Sequence, residues 1–116
     1  MPSVRACASV RASVALTAGK LEGYGQVHGH DVSVMACYCG AVGVDVERIA
    51  EAIELALGRV LGGLRGSLDG SLGEGSLIED LLERLVEELP TSISRSRLCM
   101  LRAEWMWGER SVELLL

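Results

Sequence analysis

The sequence contains no asparagine, and Gln26 is its single amide side chain. Lysine is almost as scarce, because Lys20 is the only lysine among ten arginines. A shortage of thermolabile amides is typical of thermophilic proteins, so we expect a thermophilic source, although coding bias produces much of the same pattern.

Long apolar runs and an excess of positive charge are also missing. No apolar segment reaches the roughly 18 residues of a membrane span, and the opening residues 1–5 do not lead into the apolar core of a secretory signal. The net charge of −5 argues against nucleic acid as a partner. The length of 116 residues fits one domain. We therefore expect a single soluble, cytoplasmic domain over residues 1–116, with neither a membrane nor a nucleic-acid partner.

Cysteine is present but follows no zinc-finger or redox spacing. Cys37 and Cys39 form a C-x-C pair, while Cys7 and Cys99 are far from them in sequence. A C-x-x-C motif is absent. The sequence therefore favours reduced, buried thiols that act as small hydrophobic side chains.

The first half of the chain predicts two long strands. Residues 4–17 alternate in places and are rich in small and β-branched side chains, and residues 27–44 alternate over a longer stretch. The glycine-rich segment 18–25 separates them. Two long strands joined by a short loop predict an antiparallel pair.

The period then changes from two residues to between three and four. Apolar residues at helical spacing over 46–64 predict an amphipathic helix with Asp45 as its N-cap. A Gly/Ser-rich connection, 66–75, leads to a second helix that starts at Ser76, forms a capping box with Glu79 and ends at Pro90.

The last part of the chain alternates again. Residues 93–107 predict one continuous strand, Gly108-Glu109 a turn, and 111–116 a final strand. The order ββααββ predicts an α+β fold with two helices on one face of an antiparallel sheet. Both faces of the long strands carry apolar residues, which predicts a second buried surface, most simply a subunit interface.

In this order of elements, five sequence features resemble the 6-pyruvoyltetrahydropterin synthase and 6-carboxytetrahydropterin synthase family. His28-Gly29-His30 matches the family's H-G-H strand, and Val42–Val46 its entry into the first helix. Leu68–Leu72 is similar to its L-D-H-x-x-L loop, Ser76–Asp80 to its P-T-x-E-N helix start, and Glu104 to its pterin-anchoring glutamate. The resemblance implies the T-fold, whose ββααββ units form a trimeric β-barrel that is often stacked as a hexamer. It also implies zinc as the cofactor, bound by His28 and His30.

Several residues of the family pattern are replaced in this chain. The family's third zinc histidine falls near Ala15, its cysteine on Tyr24, and the histidine of its L-D-H step on Gly70. The triad aspartate, Asp69, and the pterin anchor, Glu104, are kept.

Each matched site residue also has a plain structural explanation. His28 and His30 either bind zinc, with help from another side chain, or serve as hydrogen-bonding groups in a cleft. Glu104 either accepts hydrogen bonds from a pterin or guanine edge, or pairs with Arg102 or Arg95, or is solvated. Asp69, the catalytic candidate, is by default a turn former in a glycine-rich loop.

The resemblance implies an oligomer, a homo-trimer or homo-hexamer, of pterin synthase type. Because proton-transfer groups are missing, we expect degenerate or altered chemistry and a pterin- or purine-like ligand at a subunit interface. One alternative is an active zinc-dependent carbon–oxygen lyase acting on a dihydroneopterin triphosphate-like substrate. Another is a non-catalytic structural oligomer.

Overall fold

The computed structural model describes residues 3–17, 27–41, 43–64, 77–105 and 110–116. Within these ranges it describes the side chains of residues 3–12, 31–41, 43–60, 79–105 and 110–116. The elements in chain order are the strands β1 (Val4–Thr17) and β2 (Val27–Gly40), the helices α1 (Val46–Leu64) and α2 (Leu77–Glu88), and the strands β3 (Ser92–Ile93), β4 (Ser96–Trp105) and β5 (Arg110–Leu115).

The strands form one antiparallel sheet with β2 between β1 and β4. Both β3 and β5 pair with the edge of β4 that faces away from β2. Because side chains alternate along a strand, each strand contributes one set of residues to each sheet face. The result is the predicted α+β class with a long antiparallel β1–β2 pair.

Both helices pack on one face of this sheet and close an aliphatic core. The core is built from alternate strand residues and the apolar stripes of the two helices, including Val32, Val34, Ala36 and Leu101 from the sheet, Ile49, Ile53 and Leu57 from α1, and Leu81, Leu82 and Leu85 from α2. None of the described helices is long and apolar enough to cross a membrane.

The predicted start of α1 is confirmed in its bounds and in its cap. Asp45 Oδ1 accepts a hydrogen bond from the Glu47 backbone N–H at 3.0 Å, and the Arg48 N–H donates to the Asp45 carbonyl, also at 3.0 Å. These contacts satisfy two of the N–H groups that have no partner within the first turn of a helix. At α2, Pro90 follows the helix as predicted, while the proposed cap Ser76 lies outside the described residues.

Two strand predictions are wrong in their bounds. β2 ends at Gly40 and not at residue 44, and residues 93–107 do not form one strand. A turn separates β3 from β4, with Ser94 at a φ of 56°. Gly40 lies against this turn, where a Cβ atom on it would lie 2.9 Å from the Arg95 carbonyl oxygen. The end of β2 therefore packs closely against the turn between β3 and β4.

A β-bulge also changes which residues of β4 face the helices. Cys37 pairs with Met100, but the next residue, Tyr38, pairs with Leu98, so Cys99 is the extra residue on β4. An extra residue reverses the alternation. Leu98 therefore lies on the helix-facing side together with Leu101, although strict alternation would place these two residues on opposite faces.

The prediction of reduced thiols is wrong, because all four cysteines form disulfides. Cys7 bonds Cys37 and Cys39 bonds Cys99. The β1–β2 register places Cys7 directly opposite Cys37, and the bulge at Cys99 lies beside Cys39. Both disulfides therefore lie on the sheet face opposite the helices, which we call the outer face.

Candidate functional site

The two histidines lie near the start of β2, as predicted. In the antiparallel register, His28 is opposite Leu16 and His30 is opposite Val14, while Ala15 is opposite Gly29. The histidine side chains lie outside the described residues. Valine and leucine have no metal-ligating atom, so the β1 residues directly opposite the two histidines supply no third ligand.

Asp69 and the neighbouring Gly70, where the family has a histidine, fall in the connection between α1 and α2. Residues 65–76 lie outside the described residues. The role of Asp69 therefore stays a prediction, and no contact of this side chain enters the site described below.

Glu104 is the predicted site residue with the most fully described surroundings. It lies in the middle of the sheet, on β4, between Ser33 of β2 and Ser111 of β5. Its Oε1 atom is 2.7 Å from Nη2 of Arg102. Arginine and glutamate two apart on one strand share a sheet face, so the pairing with Arg102 that the sequence offered as an alternative is present.

Arg102 holds a second carboxylate as well. Its Nη1 donates a hydrogen bond to Glu113 Oε1 at 3.0 Å, and Glu113 is directly opposite Arg102 in the β4–β5 register. The three side chains are partly exposed to solvent, with exposed fractions of 30% for Arg102, 38% for Glu104 and 44% for Glu113. Sequence reasoning missed Glu113, because only the pairing of β4 with β5 brings it to Arg102.

One donor of the arginine has no hydrogen-bond partner among the described residues. Arg102 Nε is buried and has no hydrogen-bond acceptor within the described part of the chain. A guanidinium has five N–H donors in a fixed planar arrangement. The site therefore combines two carboxylates, which accept hydrogen bonds, with an arginine that they share.

Strand alternation separates Glu104 from the histidine positions. Positions 28 and 30 belong to the same alternating series of β2 as Val32, which is fully buried beneath the helices. Ser33, the partner of Glu104, belongs to the other series. Within one chain, strand alternation therefore assigns Glu104 and the two histidine positions to opposite faces of the sheet.

What the site can do chemically follows from the groups described. Two carboxylates that share one guanidinium form a polar centre on the outer face, with Ser33 and Ser111 directly opposite Glu104. Among the described residues, no group of three or more histidine, cysteine, aspartate or glutamate side chains is placed to hold a metal ion. In comparisons with known proteins, no family model matches the chain and no curated protein matches it.

Proposed function

We propose that this chain is a 6-pyruvoyltetrahydropterin synthase-like protein of altered chemistry that binds a pterin- or purine-like ligand through Glu104. The observation that carries the proposal is the order of the elements. Two long antiparallel strands, two helices on one sheet face and an antiparallel return pair agree with the ββααββ order of the T-fold. In that order Glu104 falls on a late strand, β4, in agreement with the late-strand glutamate of the family.

Ligand binding at Glu104 would use the carboxylate as a hydrogen-bond acceptor. The guanidine-like edge of a pterin or guanine presents two parallel N–H donors, and a carboxylate matches that geometry. The ligand would replace Arg102 as the partner of Glu104. Because Arg102 also holds Glu113 at 3.0 Å, the arginine would keep a carboxylate partner after this exchange.

The altered chemistry follows from the residues that the family's reaction needs. Proton transfer beside the substrate side chain requires a positioned acid or base, and Tyr24 and Gly70 stand where the family has cysteine and histidine. A tyrosine hydroxyl, with an unperturbed pKa of about 10, is a weaker nucleophile at neutral pH than a thiol with an unperturbed pKa of about 8.5. Asp69 is then left without the adjacent imidazole that it would orient.

The chain has two histidines, one fewer than the family's zinc site uses. A catalytic zinc ion generally has three protein ligands and one open position, whereas β1 places leucine and valine opposite His28 and His30. We therefore assign zinc no step in the function. Zinc analysis of protein purified without added metal should give well below one ion per chain. A value near one, lost in His28→Ala, would instead support the active lyase.

The proposal includes assembly into a homo-trimer or a homo-hexamer with a closed barrel. β1 is 14 residues long and pairs on one side only among the described strands. β5 lies at the other edge, where Leu115, its last residue, and Leu116, which follows it, have exposures of 76% and 56%. Joining unlike edges between copies would satisfy the open hydrogen-bonding groups and remove the edges.

The proposed location is the cytoplasm of a thermophile. Disulfides are uncommon in the cytosol of mesophiles, but intracellular proteins of hyperthermophiles are rich in them. The two disulfides and the scarcity of amide side chains are both compatible with such a source.

Ligand binding can be tested by thermal denaturation with a panel of pterins and guanine analogues. Wild type should show a higher melting temperature with at least one of them, because a ligand that binds only the folded state stabilises it. Glu104→Gln should lose that shift.

Glu113→Gln is the matched control, since it removes the other carboxylate on Arg102 and leaves the anchor in place. It should retain the shift. If no compound raises the melting temperature of wild type, or if both variants respond alike, Glu104 is not a ligand anchor.

A further inference from the structure

The two disulfides lie in neighbouring rows of the outer face but have different surroundings. Cys7 and Cys37 share a cross-strand row with Met100 and, beyond it, Leu115. Cys37 has no exposed surface. Cys7 is partly exposed, and the bond lies in a row of apolar side chains.

Cys39 lies instead between two arginines. The sheet register places Arg5 of β1 directly opposite Cys39 on one side and Arg97 of β4 directly opposite it on the other. Directly opposed residues have Cβ atoms about 5 Å apart. Both arginines are exposed, and Cys39 and Cys99 are each partly exposed.

The described side chains of the nearest outer-face rows do not offset the charge of these arginines. In the described sheet, the row of Cys39 and the next outer-face row, that of Cys37, contain no acidic residue. The Arg102 carboxylates belong to rows further along β4. The disulfide Cys39–Cys99 is therefore partly accessible to solvent and lies in a locally positive part of the outer face.

We propose that Cys39–Cys99 is a redox-active disulfide that reacts with anionic low-molecular-weight thiols of the glutathione class, whereas Cys7–Cys37 is a structural cross-link. The thiolate of the first small thiol attacks Cys99 Sγ, the Cys39–Cys99 bond breaks, and Cys39 leaves as a thiolate between Arg5 and Arg97. A second small thiolate then attacks the sulfur of the first one in the mixed disulfide, the small disulfide forms, and Cys99 leaves as a thiolate. Two thiols are thus oxidised to one small disulfide, and their two protons end on Cys39 and Cys99.

The arginines assist this exchange in two ways. Their positive charge attracts a thiol that carries carboxylates, which raises its local concentration. It also stabilises the departing thiolate, and a better leaving thiolate leaves faster. Both effects should be weaker at Cys7–Cys37, because its own row contributes only uncharged side chains.

The test is timed reduction of the folded protein by glutathione, followed by alkylation and peptide mapping. Cys39 and Cys99 should become alkylated well before Cys7 and Cys37. Arg5→Gln and Arg97→Gln should each slow the reduction of Cys39–Cys99 by about threefold, the size expected of one exposed charge pair. With the neutral thiol 2-mercaptoethanol the slowing should be smaller.

Arg11→Gln is the matched control. Arg11 is exposed on the same strand as Arg5 but pairs with Ser33, so this variant should react like wild type. Three results would overturn the proposal: equal reduction rates for the two disulfides, equal behaviour of the Arg5, Arg97 and Arg11 variants, or four free thiols in protein that is alkylated at the moment of lysis.

Discussion

The hydroxyl of Tyr38 joins the sheet to the end of α2. Tyr38 is fully buried on β2, and its hydroxyl donates a hydrogen bond to the Pro90 carbonyl at 2.6 Å. Tyr38→Phe removes the donor and leaves that carbonyl without this partner. We expect the free energy of unfolding to fall by about 1 kcal/mol, measured by urea denaturation near neutral pH.

The same variant should change how stability depends on alkaline pH. Burial raises the pKa of Tyr38 from 10.0 to about 12. Between these values the unfolded state loses the phenolic proton first, so the contribution of Tyr38 is complete below pH 10 and is lost as the pH rises towards 12. Stability of wild type should therefore fall more steeply over this interval than that of Tyr38→Phe. Parallel slopes would show that the phenol titrates alike in both states.

At the scale of single elements, substitution by alanine should change stability in opposite directions at two glycines. Gly40 ends β2 at a φ of 149°, and a Cβ atom there would lie 2.9 Å from the Arg95 carbonyl oxygen. Gly40→Ala should therefore cost about 2 kcal/mol or more, from backbone strain and crowding together. Gly58 is an exposed position inside α1, where an added Cβ atom would meet no described residue outside the helix backbone within 4 Å.

Gly58→Ala is the matched substitution and should stabilise the protein by about 0.5–1 kcal/mol, because alanine favours the helix and has fewer unfolded conformations to lose. Urea denaturation of both variants beside wild type would show shifts of opposite sign. A neutral Gly40→Ala would mean that the corner between β2 and the β3–β4 turn relaxes without cost.

Local patterns account for the elements that the sequence predicted well. The start of α1 depends on Asp45 and on apolar spacing within one turn, and both are visible in the sequence. The bulge at Cys99 and the two disulfides depend on which residues of separate strands are opposite one another. That register is fixed by the whole sheet, so a period of two along β4 alone could not show it.

The candidate site likewise contains features that are visible in the local sequence and features that depend on strand register. Arg102 and Glu104 are two apart on one strand, so their pairing was visible as an alternative in the sequence. Glu113 comes to Arg102 only through the β4–β5 register. His28 and His30 were correctly placed on a strand, whereas their zinc ligation and the role of Asp69 stay predictions.

At the scale of the whole molecule, the sheet has open edges that a single chain does not close among the described strands. At the edge opposite the long strand β1, Leu115 at the end of β5 and Leu116 after it are both well exposed. The two disulfides cross-link β1 to β2 and β2 to β4, which holds the β1 edge in a fixed position. A fixed edge is a better template for pairing with another copy than a mobile one, because less conformational entropy is lost on association.

The proposed trimeric barrel predicts a mass by light scattering of three times 12.4 kDa, or a multiple of that trimer. Leu115→Glu places a charge beside the β5 edge and should shift the distribution towards the monomer while the circular dichroism spectrum keeps its native shape. Leu55→Glu is the control, since Leu55 is similarly exposed, at 63%, but lies on α1. It should leave the mass unchanged. A monomeric wild type would contradict the barrel, and Glu104 would then have to bind its ligand on an open sheet face without a neighbouring subunit.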